Sequence, residues 1–420
     1  MTSERAPSRA AIEAAWRVEA PRLLGALVRF VGDVDRAEDL AQDALALALE
    51  RWPTHGIPDK PGAWLLATAK NRAIDEARRA AMARAKQPAI EHHLAQTTRA
   101  HTIEAREEEP VEDDVLRLIL IACHPVLSRE ARVALTLRLV AGLSTAEIAR
   151  AYLTTEATVA QRIVRAKRTL AEARVPFELP RGDELLARVH TALEVVYLIF
   201  NEGYAATAGD RVLRSELCDE AMRLGRVLAA SFAHDSEVHG ALALMELQAS
   251  RSRARVGSNG AVILLLDQDR ARWDQHLIHR GLAGLERAAS LRRPLGPYAI
   301  QAAIAACHAR ARRAEDTDWA QIVALYDALV ELTGSPVVEL NRAVAVCMAY
   351  GARDALALVD ELADDLADYH PYFATRGDIL EKLGRAHEAK LCFEEAARRT
   401  QNARERELLL TRAARNATDA

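Results

Sequence analysis

The chain has 420 residues, enough for roughly two to four compact units at about 100–200 residues each. Half of it is hydrophobic but only 5% is aromatic, so its apolar surface comes mostly from strong helix formers and an all-α fold is expected. Net charge is −4, apolar runs such as 261–266 fall far short of the roughly 18 residues a membrane span needs, and the first ten residues hold no apolar signal core, so the sequence reads as cytoplasmic with no membrane partner.

The five cysteines, Cys123, Cys218, Cys307, Cys347 and Cys392, form no C-x-x-C pair and read as small buried hydrophobes. None of the six lysines follows a glycine, which removes the phosphate-loop signature; H-E-x-x-H, G-x-G-x-x-G and G-x-S-x-G are also absent. No catalytic residue, cofactor or metal is expected.

Helical periodicity runs along most of the chain in three sections. In the first, 10–86, the stretch Asp35 to Trp52 predicts an amphipathic helix. Leu40, Ala44 and Leu47 can face a core, while Asp35, Asp39, Gln42, Asp43 and Glu50 share the opposite side. An acidic stripe of this kind is repelled by DNA and suits a protein partner with a basic surface; a solvated face is the commoner explanation. Next comes the loop His55 to Gly62, bracketed by Trp52 and Trp64. Pro61 then opens a helix on which Asn71, Asp75, Arg78 and Arg79 form one stripe. Its six basic residues, Lys70, Arg72, Arg78, Arg79, Arg84 and Lys86, face two acidic ones. A basic helix beside an aromatic-flanked loop can hold unstacked bases, although each tryptophan taken singly reads as core.

Residues 87–112 are polar and acidic, with Pro88, Pro110 and Glu107 to Glu109, and read as a flexible linker. In the second section, 113–172, Ser144 and Glu147 form a capping box ahead of a short helix from Ala146 to Tyr152. A turn at Leu153 and Thr154 leads into a longer helix, which is helix-turn-helix spacing. Val159, Ile163 and Ala166 share its packing face. Thr158, Gln161, Arg162, Arg165 and Arg168, with Lys167, carry the groups that bond base edges and phosphates in a major groove. A solvated basic helix is the alternative.

The third section divides into a helical extension, 181–296, and repeats at 297–415. It holds 30 Lys+Arg against 36 Asp+Glu in 176–420, whereas 1–175 holds 26 against 24. Gly203, in the motif Phe200 to Tyr204, reads as a helix-ending turn. Pro336 and Pro371 each open a helix that ends near Gly351 and Gly384; Ala355 and Ala389 follow, 34 residues apart, on second helices. A looser copy begins at Pro297, with Ala320 in the equivalent place. A helix pair with a period near 34 is the sign of a tetratricopeptide-type solenoid.

Taken in order, the three front stretches resemble a sigma-70-family factor of the extracytoplasmic-function type, over about residues 10–172. AEDLAQDALALALERW is similar to the family's region 2.2, which docks on the β′ clamp helices of core RNA polymerase. That resemblance implies contacts from Asp39, Gln42 and Asp43, with Asp35 at the head of the same stripe. WLLATAKNRAIDEARR resembles regions 2.3 to 2.4, implying contacts to the −10 element and its melted non-template strand from Lys70, Asn71, Arg72, Asp75, Arg78 and Arg79, with loop 55–62 where the family captures a flipped base. LSTAEIARAYLTTEATVAQRIVRAKRTL resembles region 4.2, which lies near the β flap and reads the −35 element of duplex promoter DNA. That implies contacts from Thr158, Gln161, Arg162, Arg165, Lys167 and Arg168. The whole chain resembles the subgroup with a tetratricopeptide-like C-terminal extension, for regulation or a protein partner. Two other readings stay open on the residues: a free-standing helix-turn-helix regulator, and a tetratricopeptide adaptor.

Overall fold

The structure is a computed structural model that describes residues 9–85, 111–152, 154–205, 208–209, 213–257 and 261–418. Of the expected linker, 87–110 lies outside the described residues, and 111–112 open a helix. The fold is all-α, as the composition implies, and divides into two compact units: 1–150 with 154–192, and 151–153 with 193–420.

The first unit begins with α1 (Arg9–Val31), α2 (Val34–His55) and α3 (Pro61–Ala85), which pack on one another around Leu27, Leu40 and Leu65. Helix α4 (Val111–Ala122) crosses α1 at Gly25, where a Cβ would lie 2.6 Å from the Asp114 carbonyl oxygen. Glycine is therefore what lets the two backbones approach. Arg29 of α1 also reaches the Asp114 carboxylate at 3.3 Å. Helix α5 (Arg129–Leu139) starts at Ser128, whose hydroxyl accepts from the Ala131 amide at 3.3 Å, and buries Val133, Ala134 and Leu137. Helices α6 (Thr145–Ala151) and α7 (Glu156–Glu172) follow.

Helix α8 (Gly182–Tyr204) runs unbroken through the junction at 192, so the change of unit falls inside a helix rather than at the proline-marked break before it. The helix ends at Tyr204, inside the motif Phe200 to Tyr204 as expected, with Gly203 in its last turn. A Cβ there would lie 2.7 Å from the backbone nitrogen of Cys218, so its role is close approach to α9 (Ser215–Ser231). Within the second unit, α10 (Ser236–Ala249) and α11 (Gln275–Ser290) pack together, and a two-residue parallel pair joins β1 (Ala208–Gly209) to β2 (Gln401–Asn402).

Antiparallel helices then succeed one another: α12 (Pro297–Arg310), α13 (Trp319–Thr333), α14 (Pro336–Ala349), α15 (Ala352–Glu361), α16 (His370–Lys382) and α17 (Ala386–Arg399), ending at α18 (Ala403–Thr418). Each packs on the next, a solenoid of tetratricopeptide-like helix pairs. Ala355 and Ala389 are wholly buried in its core, as the period implies. Ala320 is exposed, however, and Ile322 takes the buried place. The physical reason is local: a 3-10 turn at Ala314–Asp316 lengthens the connection, and Asp318 caps α13 by accepting from the Gln321 amide at 2.9 Å.

Candidate nucleic-acid interface

Asp33 caps α2, its carboxylate accepting from the Arg36 amide at 2.7 Å. The helix buries Ala37, Leu40, Ala41, Ala44, Ala48 and Trp52. Leu47, expected in the core, is half-buried because small residues already fill the contact with α1 and α3. The opposite face leaves Asp35, Asp39, Gln42, Asp43 and Glu50 exposed, so the acidic stripe exists as a surface.

On α3, Leu65 and Ala69 are buried while Asn71, Arg72, Asp75, Arg78 and Arg79 are exposed. The half-buried Lys70 places its ammonium 5.5 Å from the centre of the Phe30 ring. The acidic and basic stripes meet along one edge: Arg72 pairs with Asp43 at 2.9 Å and Glu76 at 3.5 Å, and Arg36 also pairs with Glu76. Trp52 is buried and Trp64 half-buried, their rings edge to face at 5.4 Å, so the loop between them springs from an aromatic pair. The side chain of Arg84 and the whole of Lys86 lie outside the described residues.

The capping box forms as the sequence implies: the Ser144 amide donates to the Glu147 carboxylate at 2.8 Å, and the Glu147 amide donates to the Ser144 hydroxyl at 3.2 Å. Helix α7 is capped by Thr155, which the sequence reading passed over although a threonine ahead of a glutamate is a start signal; it accepts from the Thr158 amide at 3.1 Å. Val159, Ile163, Ala166 and Leu170 are buried. Thr158, Gln161, Arg165 and Arg168 are exposed, Arg162 is half-buried, and Val164 stands 63% exposed between Gln161 and Arg168. Arg168 pairs with Glu172 at 2.7 Å on the open surface, a contact that phosphate can displace at little cost.

Lys167 has a different setting. Its ammonium lies 2.8 Å from Asp35 and 2.7 Å from Glu38, with only 11% of the side chain exposed. Arg138 of α5 reaches the same Glu38 carboxylate at 2.7 Å. Burial raises the Glu38 pKa, but the hydrogen bond from Lys167 and the charges of Arg138 and Lys167 outweigh it and hold the carboxyl below its ordinary range. Burial likewise lowers that of Lys167, and the bonds to Asp35 and Glu38 leave it above the ordinary lysine value. Glu38 thus joins α2 to both α5 and α7. Its signal in the sequence is a carboxylate on the alanine-lined face of α2, which a cation has to cover.

Family models match three stretches: sigma-70 region 2 at residues 16–82, sigma-70 region 4 at 117–170, and a family of unknown function (DUF6596) at 188–289. An uncharacterized protein, R00370, of Rhizobium meliloti (strain 1021) is 44% identical over 385 residues, which is 92% of this chain and 91% of that protein. A probable ECF RNA polymerase sigma factor, SigI, of Mycobacterium tuberculosis is 28% identical over 164 residues, 39% of this chain and 56% of SigI. Among solved structures, yeast Tom70 aligns over 97% of this chain and 84% of its own at 13% identity, with a TM-score of 0.31, too low to bear on the fold.

Proposed function

We propose, since the chain belongs to the sigma-70 family and within it to the extracytoplasmic-function type, that it directs bacterial core RNA polymerase to specific promoters and starts transcription there. In this reading residues 10–86 bind core enzyme and the −10 region, 113–172 bind the −35 region, and 181–296 with 297–415 regulate the factor or present it to a protein partner. The work is binding without covalent chemistry, and it takes place in the cytoplasm. Among the described residues no helix is long and apolar enough to cross a membrane, which agrees with that placement.

One observation carries the reading: the first unit exposes an acidic stripe on α2 together with a polar and basic face on α7. A free-standing helix-turn-helix regulator uses the second surface but has no need of the first. Asp35, Asp39, Gln42 and Asp43 meet the β′ clamp helices; Lys70, Asn71, Arg72, Asp75, Arg78 and Arg79 line the melted non-template strand. Thr158, Gln161, Arg162, Arg165, Lys167 and Arg168 meet the −35 duplex, near the β flap. Phosphate neutralisation supplies affinity, base edges supply selectivity, and the pairing of two elements supplies register. Capturing an unstacked base costs a few kcal/mol, which contacts at loop 55–62 offset. Engaging Lys167 on DNA requires its release from Asp35 and Glu38, so region 4 leaves α2 when polymerase takes up the acidic stripe.

Run-off transcription with purified core polymerase on fragmented genomic DNA of the source organism tests this. Factor-dependent 5′ ends sharing two upstream motifs are expected; none from the full chain or from its first unit would turn the reading to a free-standing regulator or an adaptor.

A further inference from the structure

The second unit holds a concentration of positive charge that promoter recognition does not use. Between 251 and 272 stand Arg251, Arg253, Arg255, Arg270 and Arg272, and among the described residues none of them has a carboxylate partner. Two of them, Arg253 and Arg272, line an open-sided pocket of about 530 Å³ together with Trp273, Asp274, Gln275 and His276. It falls inside the stretch 188–289, apart from both sigma-70 regions.

Arg253 and Arg272 are exposed at the pocket, whereas Trp273 is 3% exposed and its indole N–H has no hydrogen-bond partner. Behind the indole, the guanidinium groups of Arg270 and Arg251 lie 5.0 and 5.9 Å from its ring centre. Arg270 is itself held by neutral acceptors, donating to the carbonyl oxygens of His308 and Ala311 at 2.8 Å each and to the Thr317 hydroxyl at 3.0 Å. Asp274, the acidic member of the lining, is turned to cap α11, accepting from the His276 and Leu277 amides at 2.9 and 3.1 Å. Among the lining residues two guanidinium groups thus stand against one carboxylate. Burial first, then the charges of Arg251 and Arg270, push the pKa of the neighbouring His308 down to about 3.

The two exposed guanidinium groups at the pocket, Arg253 and Arg272, have no carboxylate partner among the described residues, and their planar forks match the oxygens of phosphate and carboxylate. We propose that this pocket binds a small, multiply charged oxyanion. A nucleic-acid strand fits less well, because 176–420 carries 36 acidic against 30 basic residues and repels a polyanion at long range, while an ion smaller than the Debye length of about 10 Å feels chiefly the local arginines.

The test is isothermal titration calorimetry of the full chain, without polymerase or promoter, using pyrophosphate and citrate as separate probes at fixed ionic strength. Saturable 1:1 binding of one probe is expected, and which one binds identifies the phosphorylated or carboxylated source. Arg253→Ala and Arg272→Ala are expected to weaken it about tenfold each, and Trp273→Phe, which keeps an aromatic ring of smaller size and removes the N–H donor, about threefold. The exposed Arg353→Ala serves as a control that leaves binding unchanged. Because Arg253 and Arg272 are exposed, their variants retain the wild-type melting temperature. No saturable heat from either probe, equal binding by both arginine variants, or displacement of the probe by duplex DNA would each overturn the proposal.

Discussion

Glu38 shows how one side chain gathers a site. It lies on the apolar face of α2, yet it accepts from Lys167 and Arg138 on two other helices, so its charge is covered by groups 129 and 100 residues away. At the same scale Gly25 is a steric requirement. Gly25→Ala sets a Cβ against the Asp114 backbone and is expected to cost about 1–3 kcal/mol of stability, measured by urea unfolding. Arg165 is exposed on the face of α7 proposed to read DNA and, among the described residues, has no carboxylate partner. Arg165→Ala is therefore expected to weaken promoter binding by about 1–3 kcal/mol with loss of base preference, leaving the fold intact. Binding measured against a panel of −35 variants checks it; unchanged selectivity would remove α7 from the reading role.

Helix α2 presents an exposed acidic face and a buried face that carries Glu38. Asp39→Arg combined with Asp43→Arg reverses the exposed stripe and is expected to abolish co-purification with core polymerase while the circular dichroism spectrum stays that of the wild type. Asp43→Arg also places a cation beside Arg72, so Asp39→Arg alone gives the cleaner comparison. The inward face is tested by pH. Glu38 has a lowered native pKa, so its contribution is fully present above the unfolded value of about 4.3 and is lost as pH falls through the native one. Lys167 has a raised native pKa, so its contribution is present below about 10.4 and is lost as pH rises through the native value. The contact between α2 and α7 is accordingly expected to be tightest in the neutral range and to loosen at both ends. Energy transfer between labels on the two helices reports it, and Glu38→Gln is expected to flatten the acid limb and to lower stability by roughly 1–3 kcal/mol. A pH-independent label distance would mean that the pair does not hold the helices together.

At the scale of the molecule, the boundary inside α8 decides how the chain can be cut. Arg188 and Val189 are buried, and Arg188 pairs with Glu184 at 2.8 Å, all within the stretch of α8 assigned to the first unit. A chain ending at 192 is expected to keep the stability of that unit, whereas one ending at 180 loses the burial of Val189, is less stable by roughly 1.5–3 kcal/mol and melts at a lower temperature. Differential scanning calorimetry of the two chains distinguishes them. For transcription assays of the front half, the longer chain is the proper reagent, since a failure of the shorter one reflects lost packing as readily as a lost partner.

Much of this protein is a matter of local chemistry, which a sequence states directly. The Ser144 and Glu147 box, the alternation of apolar and charged faces on α2 and α7, and the spacing of Ala355 and Ala389 depend on residues three to 34 positions apart, within the reach of helical periodicity. Hence the all-α class, the helix-turn-helix, both exposed stripes and two of the repeats could be read before any coordinates. What escaped was set by packing between distant elements. Lys167 carries the same positive charge as its arginine neighbours on α7, and only the approach of Asp35 and Glu38 turns it inward. Gly203 has the composition of a helix terminator, and only Cys218 against its backbone makes it a contact point. Ala320 has the right residue type for the repeat, and only the 3-10 turn before α13 shifts the buried position to Ile322. The arginines at 251–272 carry no periodicity or motif along the chain. Tertiary structure brings Arg251 and Arg270 to the Trp273 ring and sets Arg253 and Arg272 at the pocket beside it, because charges on separate turns meet when the backbone folds them together.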